Sequence, residues 1–236
     1  MARSQNPNLE VLRLAIKHLG ELADEFVFVG GCATGLLITD SAAPPIRPTF
    51  DVDAIVELSS KAEYYRLSKM LHQRGFKEDT RKGAPLCRWV IDTLVLDVMP
   101  TDTKIMGFGN PWYAAAVTSA QTTRLPSGET LRLISAPHFL VTKLAAFSGR
   151  GNNDYQMSHD LEDLIAVVDG RKQLISEVEL SSDKLKQALA EQIAKLLNDQ
   201  SFIDALPGYM PGDSSSQERV PGILRNLRAI VEIAKT

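Results

Sequence analysis

Thr49-Phe50-Asp51-Val52-Asp53-Ala54-Ile55-Val56 sets two aspartates two positions apart in a run of strand-forming residues, and the pattern predicts a strand over Phe50–Leu58. Side chains alternate across a strand, so Asp51 and Asp53 share a face. Two like charges held side by side repel unless something positive lies between them. A divalent ion supplies that charge: Mg²⁺ takes oxygen ligands and often binds through a few carboxylates together with substrate phosphates. A third carboxylate, Asp97, stands in the strand-like run Thr93–Met99, and if its strand neighbours that of Asp51 and Asp53, three carboxylates converge. One or two metals held there suit in-line phosphoryl transfer. Asp92 competes with Asp97 for this place but falls where a turn is expected. The bland alternative puts Asp51 and Asp53 on the solvent face of an edge strand and Asp97 at a strand end.

Upstream, Glu25–Val29 reads as a strand that runs through Gly30-Gly31 into an apolar helical stretch, Cys32–Ile38. Glycine lets a backbone approach a ligand closely, and the free N–H groups of a helix start favour phosphate. Before this strand, Leu9–Leu22 carries apolar residues at helical spacing; after it comes a Pro-rich bend, Ala43–Pro48. Lys61–Arg74 reads as a helix closed by Gly75. Phe76–Thr80, Leu86–Ile91 and Thr93–Met99 read as strands, and Thr122–Leu125 with Thr130–Ile134 as a hairpin around Pro126–Glu129. From Pro137 the texture changes: His138–Phe147, Asp160–Val168, Ser182–Leu197 and Pro221–Ala234 have helical periodicity, and Gly212–Glu218 reads as a mobile loop. The expected organisation is an α/β (α+β) core over 1–136, followed by a mainly helical part over 137–236 that completes the active-site cleft.

With 236 residues, 44% hydrophobic and 23% charged, the chain suits one substantial core or two small ones and is neither disordered nor collagen-like. A formal charge of -3 argues against a protein that coats nucleic-acid backbones, because such binding needs a large cationic excess. Cys32 and Cys87 form no zinc-type spacing, and so few thiols point to a reducing, cytoplasmic compartment. No signal peptide, membrane anchor or membrane association is expected.

Against the negative total, Lys61–Arg88 holds eight cations and three anions. Such a run is either a solvated face or a place to hold an RNA end beside the metals. Trp89 and Trp112 read as core residues. Lys143 and Arg150 lie two helical turns apart, and Asp160 and Asp163 share a face of the next helix. Their charges fit either an inter-helix ion-pair network or a clamp on a charged substrate. The Gly149–Asp154 loop between these helices is flexible enough to close over substrate. His159-Asp160 lacks the further histidines that a metal phosphohydrolase needs.

The strand-end Gly30-Gly31, the Asp51-x-Asp53 strand and the later Asp97 together resemble the polymerase-beta-like nucleotidyltransferase superfamily. With the Arg47-x-Thr49-x-Asp51-x-Asp53 block, the Lys143 helix and the Asp160–Asp163 helix, residues 26–170 are similar to the AbiEii-type nucleotidyltransferases of bacterial toxin–antitoxin systems. The resemblance implies a polymerase-beta-like core with a mixed sheet, and Mg²⁺- or Mn²⁺-dependent transfer of a nucleoside monophosphate from an NTP to an acceptor: tRNA, another RNA or a protein. By position, Gly30, Gly31, Thr49, Lys143, Arg150, Asp160 and Asp163 would serve the nucleotide. Asp51, Asp53 and Asp97 would serve the metals, and Asp97 also the acceptor hydroxyl as base. Asp51, Asp53, Asp97 and Lys143 form the implied catalytic set. The toxin class also implies an antitoxin protein as partner. An antibiotic-modifying nucleotidyltransferase and a non-catalytic nucleotide-binding regulator share this core and stay open as alternatives.

Overall fold

A computed structural model describes residues 6–151 and 153–235. They form two compact units: one from the chain up to Gly35 and Arg47–Ser135, the other from Leu36–Ile46 and the chain from Ala136.

The first unit is built on a seven-stranded mixed sheet in the order β3-β4-β5-β2-β1-β7-β6. The strands are β1 (Phe26–Val29), β2 (Asp51–Val56), β3 (Lys77–Glu78), β4 (Arg88–Ile91), β5 (Leu94–Pro100), β6 (Gln121–Arg124) and β7 (Thr130–Leu133). The central strand β2 lies antiparallel to β1 and parallel to β5. Its Val52, Ala54 and Val56 are buried, while Asp51 and Asp53 are partly exposed, the alternation expected of a strand with one face on the core. Trp89, Leu94, Leu96 and Val98 extend that buried face across β4 and β5.

Helix α1 (Leu9–Leu19) buries Leu12, Ala15 and Leu19 and packs on β2 and β5. The helical spacing reads on to Leu22, but α1 stops at Gly20 and a 3₁₀ turn, Gly20–Glu25, carries the chain into β1. Helix α2 (Gly30–Leu37) starts at the first glycine after β1. Helix α3 (Lys61–Gln73) is capped by Ser60, which accepts from the Glu63 N–H, while the Glu63 carboxylate accepts from the Ser59 N–H at 2.7 Å. The short helices α4 (Thr103–Met106) and α5 (Tyr113–Thr118) join β5 to the β6–β7 hairpin. Trp89 is fully buried, whereas Trp112, read as core, is half-buried.

The second unit comprises α6 (Ala136–Arg150), α7 (His159–Gly170), α8 (Leu174–Glu179), α9 (Asp183–Leu197), α10 (Gln200–Ala205), α11 (Ser214–Gln217) and α12 (Val220–Ile233). Leu36–Ile46 joins it through the Thr39 and Asp40 N–H groups, which donate to the Gly170 carbonyl at 2.9 and 2.8 Å. Gly212–Glu218, expected as a mobile loop, instead carries α11. Asp213 caps its serines, accepting from the Ser216 N–H, and Gln217 donates to the carbonyls of Pro207, Met210 and Pro211. Asn152, inside the glycine- and asparagine-rich loop proposed to close over substrate, lies outside the described residues. No helix among the described residues is long and apolar enough to cross a membrane.

Candidate active site

The register of the sheet sets one row of residues across four strands. Arg88 faces Asp97, Asp97 faces Asp53, and Asp53 faces Val29. Asp51 lies two residues before Asp53 on the same face, so all three carboxylates expected to act together project from one side of β2 and β5. Asp92, the competing candidate, is a turn residue at φ 49° between β4 and β5.

Gly30 closes the end of this row. Its φ of +64° is left-handed, and a β-carbon there would stand 1.8 Å from Asp53 Oδ2. The glycine turn and the Asp-x-Asp strand are therefore in contact, with the Asp53 carboxylate against the backbone from which α2 begins. Asn8, which no sequence motif marks, is fully buried and fastens these parts together. It donates to the Gly31 carbonyl at 3.3 Å and accepts from the Thr49 N–H at 2.9 Å. Thr49 Oγ1 in turn donates to Asp51 Oδ1 at 2.9 Å, so Thr49 orients a carboxylate.

The charge that must lie among the aspartates is present, and it is Arg88. Its Nε and Nη2 donate to Asp97 Oδ1 and Oδ2 at 2.8 and 2.7 Å, and the same Nη2 donates to Asp51 Oδ2 at 3.0 Å. A paired fork of this kind is among the stronger polar contacts available to a protein. The Asp97 hydrogen bonds raise the Arg88 pKa further above its ordinary value, against the opposing effect of burial. The sequence counted Arg88 only as one charge in a basic run. The two-residue turn Asp92-Thr93 could have found it, because pairing outward from Ile91↔Leu94 sets Arg88 opposite Asp97. Beside it, burial and the Asp97 charge push the Cys87 thiol up to about 12, which leaves a neutral thiol and no thiolate nucleophile at neutral pH.

The donor chemistry suits a hard divalent cation: oxygen ligands only, on one face, next to a backbone turn. In the geometry described, however, Arg88 takes up Asp97 and one oxygen of Asp51. Among the described residues no group of three or more His, Cys, Asp or Glu is arranged to hold a metal ion.

Arg88 also lines a pocket of about 560 Å³, walled by Lys61, Tyr64 and Tyr65 of α3, by Glu78, Asp79, Thr80, Arg81, Ala84 and Leu86, and by Ile105 and Met106. Part of the basic run faces this pocket, although Arg81 is paired with Asp79 at 2.6 Å.

The other predicted site residues lie in the helical unit. Lys143 Nζ donates to Asp160 Oδ1 at 3.2 Å and Asp163 Oδ2 at 2.6 Å, and all three residues are buried. Arg150, much more exposed, donates to both oxygens of Asp160 at 3.0 Å. Burial would raise the Asp160 pKa, but the Arg150 hydrogen bonds and the Lys143 charge outweigh it and hold the carboxyl below its ordinary value. This is the inter-helix network that the sequence allowed for; a phosphate contact from Lys143 would require these pairs to open.

No protein-family model matches the chain, and no curated protein matches it. Among solved structures it is similar to an antigenic nucleotidyltransferase-like protein from Paracoccidioides brasiliensis. The two are 22% identical over 84% of this chain and 93% of that chain, with a TM-score of 0.49. It is also similar to JHP933 from Helicobacter pylori, 12% identical over 96% of this chain and 91% of that chain, with a TM-score of 0.50. The likeness to JHP933 is one of fold.

Proposed function

We propose that the chain is a metal-dependent nucleotidyltransferase that moves a nucleoside monophosphate from an NTP to an RNA acceptor. The observation that carries this reading is the contact between Gly30 and Asp53: a left-handed glycine turn at a helix start, packed against one of three carboxylates on one sheet face. Backbone N–H groups at such a turn can hold a triphosphate. Asp51 and Asp53 would hold Mg²⁺ or Mn²⁺, with Asp97 as the third ligand. A divalent ion bound there would neutralise charge on the reacting phosphates. The acceptor hydroxyl oxygen attacks the α-phosphorus, the bond to the bridging oxygen breaks, pyrophosphate leaves, and Asp97 takes the hydroxyl proton.

The Arg88 pocket, with Lys61 and the tyrosines of α3, supports a nucleic-acid acceptor over a small antibiotic, because cations beside aromatic faces suit phosphates and bases. The similarity of residues 26–170 to AbiEii-type enzymes extends the proposal to a toxin restrained by an antitoxin protein. Lys143, Arg150, Asp160 and Asp163 enter it as the scaffold that joins α6 to α7. One observation favours a second reading, a nucleotide-binding regulator without turnover: Arg88 already neutralises part of the carboxylate charge.

Incubation with α-labelled NTPs, Mg²⁺ and total RNA separates the two. Label transferred to RNA by the wild type and lost in Asp51→Ala and Asp53→Ala supports the transferase. NTP binding without transfer supports the regulator, and transfer that survives both substitutions refutes the assignment of the site.

A further inference from the structure

Arg88 is bonded to the two outer carboxylates of the site and is also a wall of the neighbouring pocket. We infer that Arg88 is an exchangeable counter-cation: it holds Asp51 and Asp97 together until a divalent ion arrives, then releases them and turns into the pocket. The inference rests on the metal-site reading of the carboxylates.

Three features carry it. The guanidinium uses both oxygens of Asp97 and one of Asp51, the same atoms that a hard cation would need, so the two cations compete for one set of ligands. Arginine stays protonated at any working pH, so it must leave by moving and not by losing its charge. A destination exists: Arg88 already lines the pocket of about 560 Å³, and the half-exposed Glu78 carboxylate lies among its walls. While Arg88 is in place, both oxygens of Asp97 are occupied by charge-assisted hydrogen bonds. Its release would free the Asp97 and Asp51 oxygens for the ion and present a cation to an acceptor phosphate in one movement. Arg88 is thus a positioning residue that couples metal loading to acceptor binding.

The test uses the full chain with Mn²⁺ alone as probe. In the wild type, peptide mapping of phenylglyoxal adducts reports whether Arg88 is held, with exposed Arg228 of α12 as internal reference. Severalfold faster modification of Arg88 in saturating Mn²⁺, with Arg228 unchanged, is expected. Mn²⁺ titration by electron paramagnetic resonance should show Arg88→Gln binding at least about tenfold tighter than wild type, with Arg88→Lys in between, because lysine keeps the charge but loses the fork. An Arg88→Lys affinity equal to wild type would mean that only the field of the charge matters, and would overturn the exchange. Mn²⁺ bound in an Asp53-dependent way with no change in Arg88 reactivity would also overturn it, while leaving the metal site standing. If neither wild type nor Arg88→Gln binds Mn²⁺, the metal-site reading falls and this inference with it.

Discussion

Position 30 shows how closely one residue can be specified. A side chain there would have to adopt a left-handed backbone and occupy the space of the Asp53 carboxylate. Gly30→Ala is therefore expected to cost about 1–3 kcal/mol through strain and displacement, measurable as a lowered denaturation midpoint, and to weaken Mn²⁺ binding because Asp53 must move. An unchanged midpoint with unchanged Mn²⁺ affinity would contradict the contact. Gly30-Gly31 and Asp51-x-Asp53 were legible in the sequence because each obeys a local rule, backbone freedom in one case and strand alternation in the other. Asn8 was not, since its value lies in hydrogen bonds to partners 23 and 41 residues away. Asn8→Leu, which keeps the approximate volume and removes those bonds, is expected to destabilise the first unit by roughly 1–3 kcal/mol, because the Thr49 N–H loses its partner. Chemical denaturation of the two proteins measures the difference.

Among elements, the hairpin of β4 and β5 and the helix pair α6–α7 carry the charges that matter most. Three long helices and the central strands follow their periodicity closely: α3, α9 and α12 each end within one residue of the expected limits, whereas α6 begins two residues before and ends three after the expected His138–Phe147. The helices α4, α5, α8 and α10 were not foreseen, because four to six residues make too few turns to show a period. The Lys143 network was legible as charges at helical spacing, but burial, which no spacing reveals, determines its energetics. Lys143→Met would leave Asp160 and Asp163 in a poorly solvated place with one cation fewer, and is expected to destabilise the protein by about 3–5 kcal/mol. Arg150 is 74% exposed, and Arg150→Ala is expected to cost no more than about 1 kcal/mol. Urea unfolding of the two variants side by side would show this contrast; equal costs would refute it.

At the scale of the whole molecule, the helical unit has an acid-sensitive tie. Arg219 donates to Asp40 at 2.7 Å and to both oxygens of Asp169, bringing Leu36–Ile46 against α7 and α12. Its hydrogen bond is the largest influence on Asp40 and holds that carboxyl at about 2, well below its ordinary 3.8. A depressed carboxylate contributes stability that is present above the unfolded value and lost as pH falls through the folded one. Asp40 is thus expected to contribute on the order of 2 kcal/mol at neutral pH, fading between about pH 4 and pH 2. In Arg219→Ala the acid-unfolding midpoint, followed by circular dichroism, should move to higher pH; an unmoved midpoint would argue against the tie. The division into an α/β unit and a helical unit follows from the change of texture along the chain, but the early excursion of Leu36–Ile46 into the helices does not, because it depends on backbone bonds to the distant Gly170 carbonyl. The claim on which the functional reading depends is that Asp51, Asp53 and Asp97 bind divalent ions beside a triphosphate held at Gly30-Gly31. Anomalous scattering from a crystal grown with Mn²⁺ and a non-hydrolysable NTP measures this directly. A manganese peak at Asp51 and Asp53, with the phosphates against the glycine turn, is the expected result; phosphates bound elsewhere, or carboxylates with no manganese, would contradict it.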